Sequence, residues 1–308
     1  MKFLKLIRYQ NLILLALMQF SFRYGFLIHQ DVPLALADWQ FSLLVLATVL
    51  LAAAGYIIND IFDQDTDEIN KPQKQIIGKS ISENIAYNLY VSLNLTGVAI
   101  GFYLSNVILR PSFAVIFIFI AASLYFYATQ LKKIALVGNL LIACLTAVSV
   151  LLIGVFDLYP AIYDANREQM GLMFKILIDY AFFAFFINLI RELVKDAEDY
   201  KGDFTVGAKT LPVLIGTKIT AKIVFVLHLI ALLLLINYTN TNLFENNLLI
   251  ATLYALVTVV APLILTMIKS WKAATTEDFQ TISKVLKVVI FFGIMSIVVI
   301  TYSIKWNA

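Results

Sequence analysis

The sequence predicts an all-α integral membrane protein, a bundle of nine transmembrane helices. Three observations predict it. The 308 residues are 61% hydrophobic and only 14% charged, against about 45–50% apolar and about 25% charged in soluble domains. The apolar residues gather in runs of roughly 20, the length a helix needs to cross a hydrocarbon core about 30 Å thick. Those runs lack the two-residue alternation of a barrel strand, as in Phe113-Ala-Val-Ile-Phe-Ile-Phe-Ile-Ala121, so the backbone must satisfy itself within helices.

In chain order the expected spans are Tyr9–Ile28, Phe41–Ile58, Ile85–Leu104, Ser112–Gln130, Ile134–Phe156, Met170–Ile190, Ile219–Ile236, Asn247–Ile268 and Val285–Ser303. They make a single domain over 1–308. The first has the basic start of a signal peptide, Lys2, Lys5 and Arg8, but Phe22-Arg23-Tyr24 offers no small-residue cleavage site, so it reads as a retained span. Six Pro and twelve Gly argue against a disordered or fibrous chain. The lone Cys144 lies in an apolar run and reads as a small core residue, with no disulfide or metal role.

Lys and Arg set the orientation. With the N-terminus in the cytoplasm, 18 of the 23 basic residues fall on the cytoplasmic side, leaving Arg23, Arg110, Arg167, Lys175 and Lys305 elsewhere. The expected setting is a multi-pass protein of a prokaryotic cell membrane, with its bilayer as a partner. A net charge of +3 is too small to suggest nucleic acid. The loops after the second and sixth spans are long and rich in carboxylates, so the chemistry is expected at the cytoplasmic end.

Those two loops carry matching motifs. Asp60, Asp63 and Asp67 stand at i, i+3 and i+7, as do Asp196, Asp199 and Asp203, 136 residues further on. On a continuous helix each triplet would share one face. Asp65 and Glu68 point elsewhere and read as solvated. One such triplet alone reads equally well as a solvated helix end; two, each closing an apolar span, imply a shared role. Crowded carboxylates need cations, and hard oxygen ligands suit magnesium, which keeps waters and bridges to substrate phosphates. Two clusters with a gap between them suit a metal-held diphosphate. Arg191, Lys195, Lys132, Lys133, Lys71, Lys74 and Lys79 are near enough in sequence to neutralise phosphate oxygens directly. Neither His29 nor His228 is given a role, and no Gly-rich phosphate loop or Cys/His zinc spacing occurs.

At these residues the chain resembles the UbiA-type superfamily of intramembrane prenyltransferases. Asn59, Asp60, Asp63 and Asp67 are similar to its Asn-Asp-x-x-Asp-x-x-x-Asp signature, continued by Asn70-Lys71-Pro72. Asp196, Asp199 and Asp203 are similar to its second signature, followed by Gly207-Ala-Lys209-Thr210-Leu-Pro212 and Gly216. Tyr127 to Lys133, with Gly138-Asn139, also has the family's look. One departure lies in Lys74-Gln75-Ile-Ile-Gly78-Lys79, where the family often has Pro and a Ser-Gly pair. The resemblance implies nine helices around a central cavity, capped on the cytoplasmic side and open laterally to lipid. It implies that all six aspartates hold magnesium and a polyprenyl diphosphate donor, with Asn59, Lys132, Tyr127, Arg191 and Lys195 as substrate contacts.

The expected reaction is ionisation of the allylic diphosphate, with aromatic faces stabilising the cation. Tyr56, Tyr127, Phe126, Tyr180 and Phe182 are candidates for those faces. The string Asn188 to Asp199 looks most like the branch that prenylates geranylgeranylglyceryl phosphate in isoprenoid lipid biosynthesis, which implies geranylgeranyl transfer to a lipid acceptor. An aromatic acceptor such as 4-hydroxybenzoate, homogentisate or a naphthoate remains open. So does a transporter with a cytoplasmic cation site, although transporters place ionisable residues near the midplane and here the carboxylates gather at one end.

Overall fold

The computed structural model describes residues 2–307 apart from 71 and 74. Among the described residues nine helices are long and apolar enough to cross a membrane. They are α1 (Tyr9–Gln30), α2 (Asp38–Phe62), α3 (Glu83–Val107), α4 (Pro111–Thr129), α5 (Val137–Ala161), α6 (Asp164–Glu198), α7 (Thr217–Phe244), α8 (Leu249–Lys272) and α9 (Thr276–Trp306). Each expected span overlaps one of them; six lie wholly inside, while Gln130, Ile134 to Leu136 and Asn247 to Leu248 fall just outside α4, α5 and α8. α6 and α9 run well past the expected Met170–Ile190 and Val285–Ser303. Hydropathy stops counting where charges begin, but Arg191, Glu192 and Lys195 are good helix formers and carry the helix beyond the apolar run.

Local signals set the helix ends. The Gln40 side chain accepts from the Ala37 amide at 2.8 Å before α2, and the Ser82 hydroxyl accepts from the Ile85 amide at 3.4 Å before α3, each satisfying an amide the helix leaves open. Pro111 opens α4, where its missing N–H costs nothing.

α6 packs against α5, α7 and α9, and α2 against α3 and α4. Away from the carboxylate motifs the interior is aromatic. Phe117 and Phe156 meet edge-on at 5.3 Å between ring centres, with Phe22, Phe26 and Phe41 also buried. Nearer the motifs, Leu193, Val194, Val224, Leu263 and Leu286 close the space between α6, α7, α8 and α9. Large apolar side chains also face outward: Leu95 and Val257 are each 67% exposed. Such a surface suits lipid, which demands no polar cover. Cys144 belongs to it; it is exposed, which corrects the expectation of a core position. An apolar neighbourhood in sequence does not separate a lipid-facing side chain from a packed one.

At the end of the bundle opposite the motifs, α5 widens into a π-helical turn over Gly154–Leu158. The turn brings Asp157 inward against Arg23 of α1. The Arg23 guanidinium also donates to Leu36 O at 2.6 Å and to Asp38 at 3.1 Å. Asp157 accepts the Leu36 amide at 2.9 Å. This buried knot ties α1, the start of α2 and α5 together.

Candidate active site

Both carboxylate motifs break their helices. α2 ends at Phe62, Asp63 sits at φ −99° and ψ 5°, and a new short helix runs Gln64–Asn70. α6 ends at Glu198, Asp199 sits at φ −92° and ψ 7°, and a short helix runs Tyr200–Thr205. The triplets therefore do not lie on single straight helices, as their spacing implied. In each, the middle aspartate is the corner, and the third lies beyond the bend.

The bends are held by contacts between the loops. The Asn70 amide donates to Asp199 O at 2.9 Å and accepts the Gly202 amide at 2.9 Å. A Cβ on Gly202 would lie 2.4 Å from Asn70 Nδ2, so any larger residue would push the Asn70 side chain off these two hydrogen bonds. The loop after α4 joins the same cap: the Lys209 amide donates to Lys133 O at 2.8 Å. Gly207 supplies the left-handed corner at φ +70° that lets Ala208 donate to Asp203 O at 2.9 Å and Thr210 reach the Asp203 carboxylate at 3.1 Å. Replacing Asn70 by Ala removes both bridging hydrogen bonds, each worth about 0.5–1.5 kcal/mol. The expected result is a rise of about tenfold in KM for a prenyl diphosphate with the melting temperature little changed; an unaltered KM would mean the cap does not depend on this bridge.

Beneath the cap lies a cavity of ≈ 1230 Å³. Every residue expected at the site lines it: Asn59, Asp60, Asp63, Asp67, Tyr127, Lys132, Arg191, Lys195, Asp196, Asp199 and Asp203. Its deeper walls are apolar. One set comes from α1, α2, α4 and α5, including Leu15, Met18, Ala52, Leu124 and Leu145, and another from α7, α8 and α9, including Leu235, Ala255, Val259 and Ile294. Of the expected aromatics, Tyr56, Tyr127 and Tyr180 line it, together with Phe183 and Tyr238. Phe126 and Phe182 do not; they are 50% and 43% exposed, on the outward faces of α4 and α6.

The carboxylates are spaced by polar partners. Lys132 Nζ lies 2.5 Å from Asp63, which also accepts from Asn59 at 2.5 Å. Asn139 donates to Asp196 at 2.8 Å. Arg8 donates to Asp60 at 2.9 Å and stacks over Tyr56 at 4.9 Å, while Asn11 donates to the Tyr56 hydroxyl at 3.1 Å. Arg8 reaches this place from a left-handed backbone, φ 50°, an unusual state for a non-glycine residue. Burial pushes the Asp203 carboxyl up to about 6, against the hydrogen bond from Thr210, and the neighbouring Asp199 and Asp63 push it the same way. Tyr127 lies within electrostatic reach of Glu192, Asp196 and Asp63.

Several of these partners escape a sequence reading. In the sequence Arg8 reads only as an orienting charge, Asn70 and Asn139 only as parts of a pattern, and Glu192 carries no signal of a role. Of the expected basic contacts, Lys133 lines the cavity, but Lys79 does not; it turns out to Pro72 O at 2.9 Å. Lys71 and Lys74 lie outside the described residues.

The donor set suits a hard divalent cation. It consists of carboxylate oxygens from two helix ends facing one cavity, where burial, and then the neighbouring Asp199 and Asp63, raise the Asp203 carboxyl. Among the described residues no three or more His, Cys, Asp or Glu form a ready-made metal cluster. Separated carboxylates fit magnesium, which keeps waters and is completed by substrate phosphates rather than enclosed by protein.

Comparison with known proteins identifies the family. The model of the UbiA prenyltransferase family matches residues 20–300. A digeranylgeranylglyceryl phosphate synthase of Saccharolobus solfataricus is 37% identical over 231 residues, 74% of each chain. The synthase of that name from Methanobrevibacter smithii is 36% identical over 200 residues, 65% of this chain and 64% of its own length. Among solved structures, one described as giving insights into digeranylgeranylglyceryl phosphate synthase in membranes has a TM-score of 0.62 at 23% identity, covering 97% of both chains. A UbiA homolog from Archaeoglobus fulgidus bound to GPP and Mg2+ has a TM-score of 0.60 at 15% identity, covering 96% of this chain and 99% of that one. At these identities the structural likeness speaks for the fold.

Proposed function

The chain belongs to the UbiA prenyltransferase family, and on that premise we propose that it transfers a geranylgeranyl group from its diphosphate to geranylgeranylglyceryl phosphate, with magnesium. The observation that carries this reading is the convergence of both aspartate motifs on the polar mouth of one apolar cavity. The acceptor is supported by the relatives at 37% and 36% identity, both digeranylgeranylglyceryl phosphate synthases. The cap is assigned to the cytoplasmic face by the excess of Lys and Arg at that end.

In this reading Asp60, Asp63 and Asp67 of one motif and Asp196, Asp199 and Asp203 of the other would hold magnesium. Bound there, magnesium would neutralise the charge that gathers on the departing diphosphate. Asn59 and Lys132 orient the diphosphate beside Asp63, and Lys195 adds positive charge on the same side. The apolar walls take the prenyl tail and exclude water, which would otherwise capture the reactive carbon. As the C1–O bond breaks, its electron pair leaves with the diphosphate. The rings of Tyr56, Tyr127 and Tyr180 present negative faces to the positive charge left at C1. The glycerol hydroxyl of the acceptor then bonds to C1 and gives up its proton to the released diphosphate, leaving an ether.

The test is transfer in reconstituted vesicles from labelled geranylgeranyl diphosphate. Product with geranylgeranylglyceryl phosphate, lost on chelating magnesium, is expected. Product only with 4-hydroxybenzoate or another aromatic acceptor would overturn the assignment.

A further inference from the structure

Among the described residues eight cations line the cavity; Lys2, Lys5 and Lys133 are exposed, and five are partly buried. Arg8 is paired with Asp60, Lys132 with Asp63, and Lys195 with Glu192 at 2.7 Å. Two stand apart. Arg191 reaches the already shared Glu192 only at 3.5 Å, and its Nε is buried without a hydrogen-bond partner. Lys287, half-buried on α9, makes its one described side-chain hydrogen bond to the neutral Gln10 of α1, at 3.3 Å. Both line the same cavity, and the helices that carry them, α6 and α9, pack against each other. Two like charges at a cavity wall repel, and a bound anion relieves the repulsion.

We propose that Arg191 and Lys287, with Gln10, form a headgroup site for the phosphate monoester of the acceptor lipid, in the same cavity as the carboxylates that take the donor diphosphate. The inference rests on the function proposed above. Two positive charges match a phosphate monoester, which carries about −1.5 to −2 near pH 7. An aromatic carboxylate would need only one. The chain below the site suits a second lipid tail. Along α9 the cavity lining continues from Lys287 through Ile290, Gly293 and Ile294 to Ile300, and a Cβ on Gly293 would meet nothing within 4 Å. The apolar wall of α7, α8 and α9 thus lies below this pair, while the wall of α1, α2, α4 and α5 is left for the donor tail.

The experiment measures KM for both substrates in vesicles of zwitterionic lipid, comparing the parent with Lys287→Gln and Lys287→Arg. Lys287→Gln is expected to raise KM for geranylgeranylglyceryl phosphate about tenfold and to leave that for geranylgeranyl diphosphate within about twofold. Lys287→Arg should restore most of the loss. With geranylgeranylglycerol, which lacks the phosphate, parent and Lys287→Gln should behave alike. Equal rises for donor and acceptor would overturn the proposal. So would a penalty seen only when anionic phosphatidylglycerol is added, since that would make Lys287 a contact to bulk lipid. If the parent prenylates the phosphate acceptor and Lys287→Gln changes nothing, the headgroup site alone falls. If the parent does not prenylate it at all, both readings fall.

Discussion

Asp60→Asn and Asp196→Asn are each expected to lower prenyl transfer by about 10²–10³-fold, the usual cost of removing one preorganised charge-stabilising group, while leaving the protein folded. Asparagine keeps the shape of aspartate and keeps a carbonyl oxygen. At Asp60 that oxygen can still accept from Arg8, 2.9 Å away, and at Asp196 from Asn139, 2.8 Å away. What disappears is the negative charge a divalent cation needs. The loss should show as weaker magnesium dependence together with a lower rate, and more magnesium should recover part of it. Asp63→Asn is a poorer test, because Asp63 also neutralises Lys132, and the variant would free a cation beside the diphosphate. Folding is checked by monodispersity and melting in detergent. Full transfer activity in either variant at limiting magnesium would sink the assignment of the carboxylates as the cation site.

The spans were legible because lipid leaves the chain so few choices: about 20 apolar residues must be helical. The paired aspartates were legible because their spacing repeats and each pattern closes an apolar run. Their geometry was not. A spacing of i, i+3, i+7 fits a straight helix, and nothing in Asp60 to Asp67 marks Asp63 as a corner. The corner depends on Asn70 and Gly202, 132 residues apart, and on Lys132, 69 residues from Asp63. Such partners belong to the tertiary fold and leave no local pattern. Arg8 is similar: next to an apolar run it reads as a topology signal, and only the left-handed turn before α1 brings it onto Asp60 and Tyr56. The π-helical turn that directs Asp157 inward is invisible in hydropathy, which placed the end of the fifth span at Phe156.

That turn underlies the second large effect. Asp157→Ala is expected to destabilise the protein by about 3–5 kcal/mol, the cost of leaving one member of a buried ion pair without the other. The Asp157 side chain is fully buried, and 4% of the Arg23 side chain is exposed. With Asp157 gone, Arg23 keeps the Leu36 carbonyl and Asp38, but 76% of the Asp38 side chain is exposed, so it offers weak, solvent-screened compensation. The Leu36 amide also loses its acceptor. The double variant Arg23→Met, Asp157→Leu should recover most of the loss, because it removes both charges and fills the space with apolar side chains. Thermal unfolding in one detergent, compared across the parent, the single and the double variant, reads this directly. The knot is at the end of the bundle remote from the carboxylates, so single-variant protein held below its melting temperature should keep the parent's KM for the prenyl diphosphate. An unchanged melting temperature for Asp157→Ala would show that Asp38 and the aromatic rings beside Arg23 suffice to hold its charge, and that the π turn in α5 does not hold α1 and α5 together.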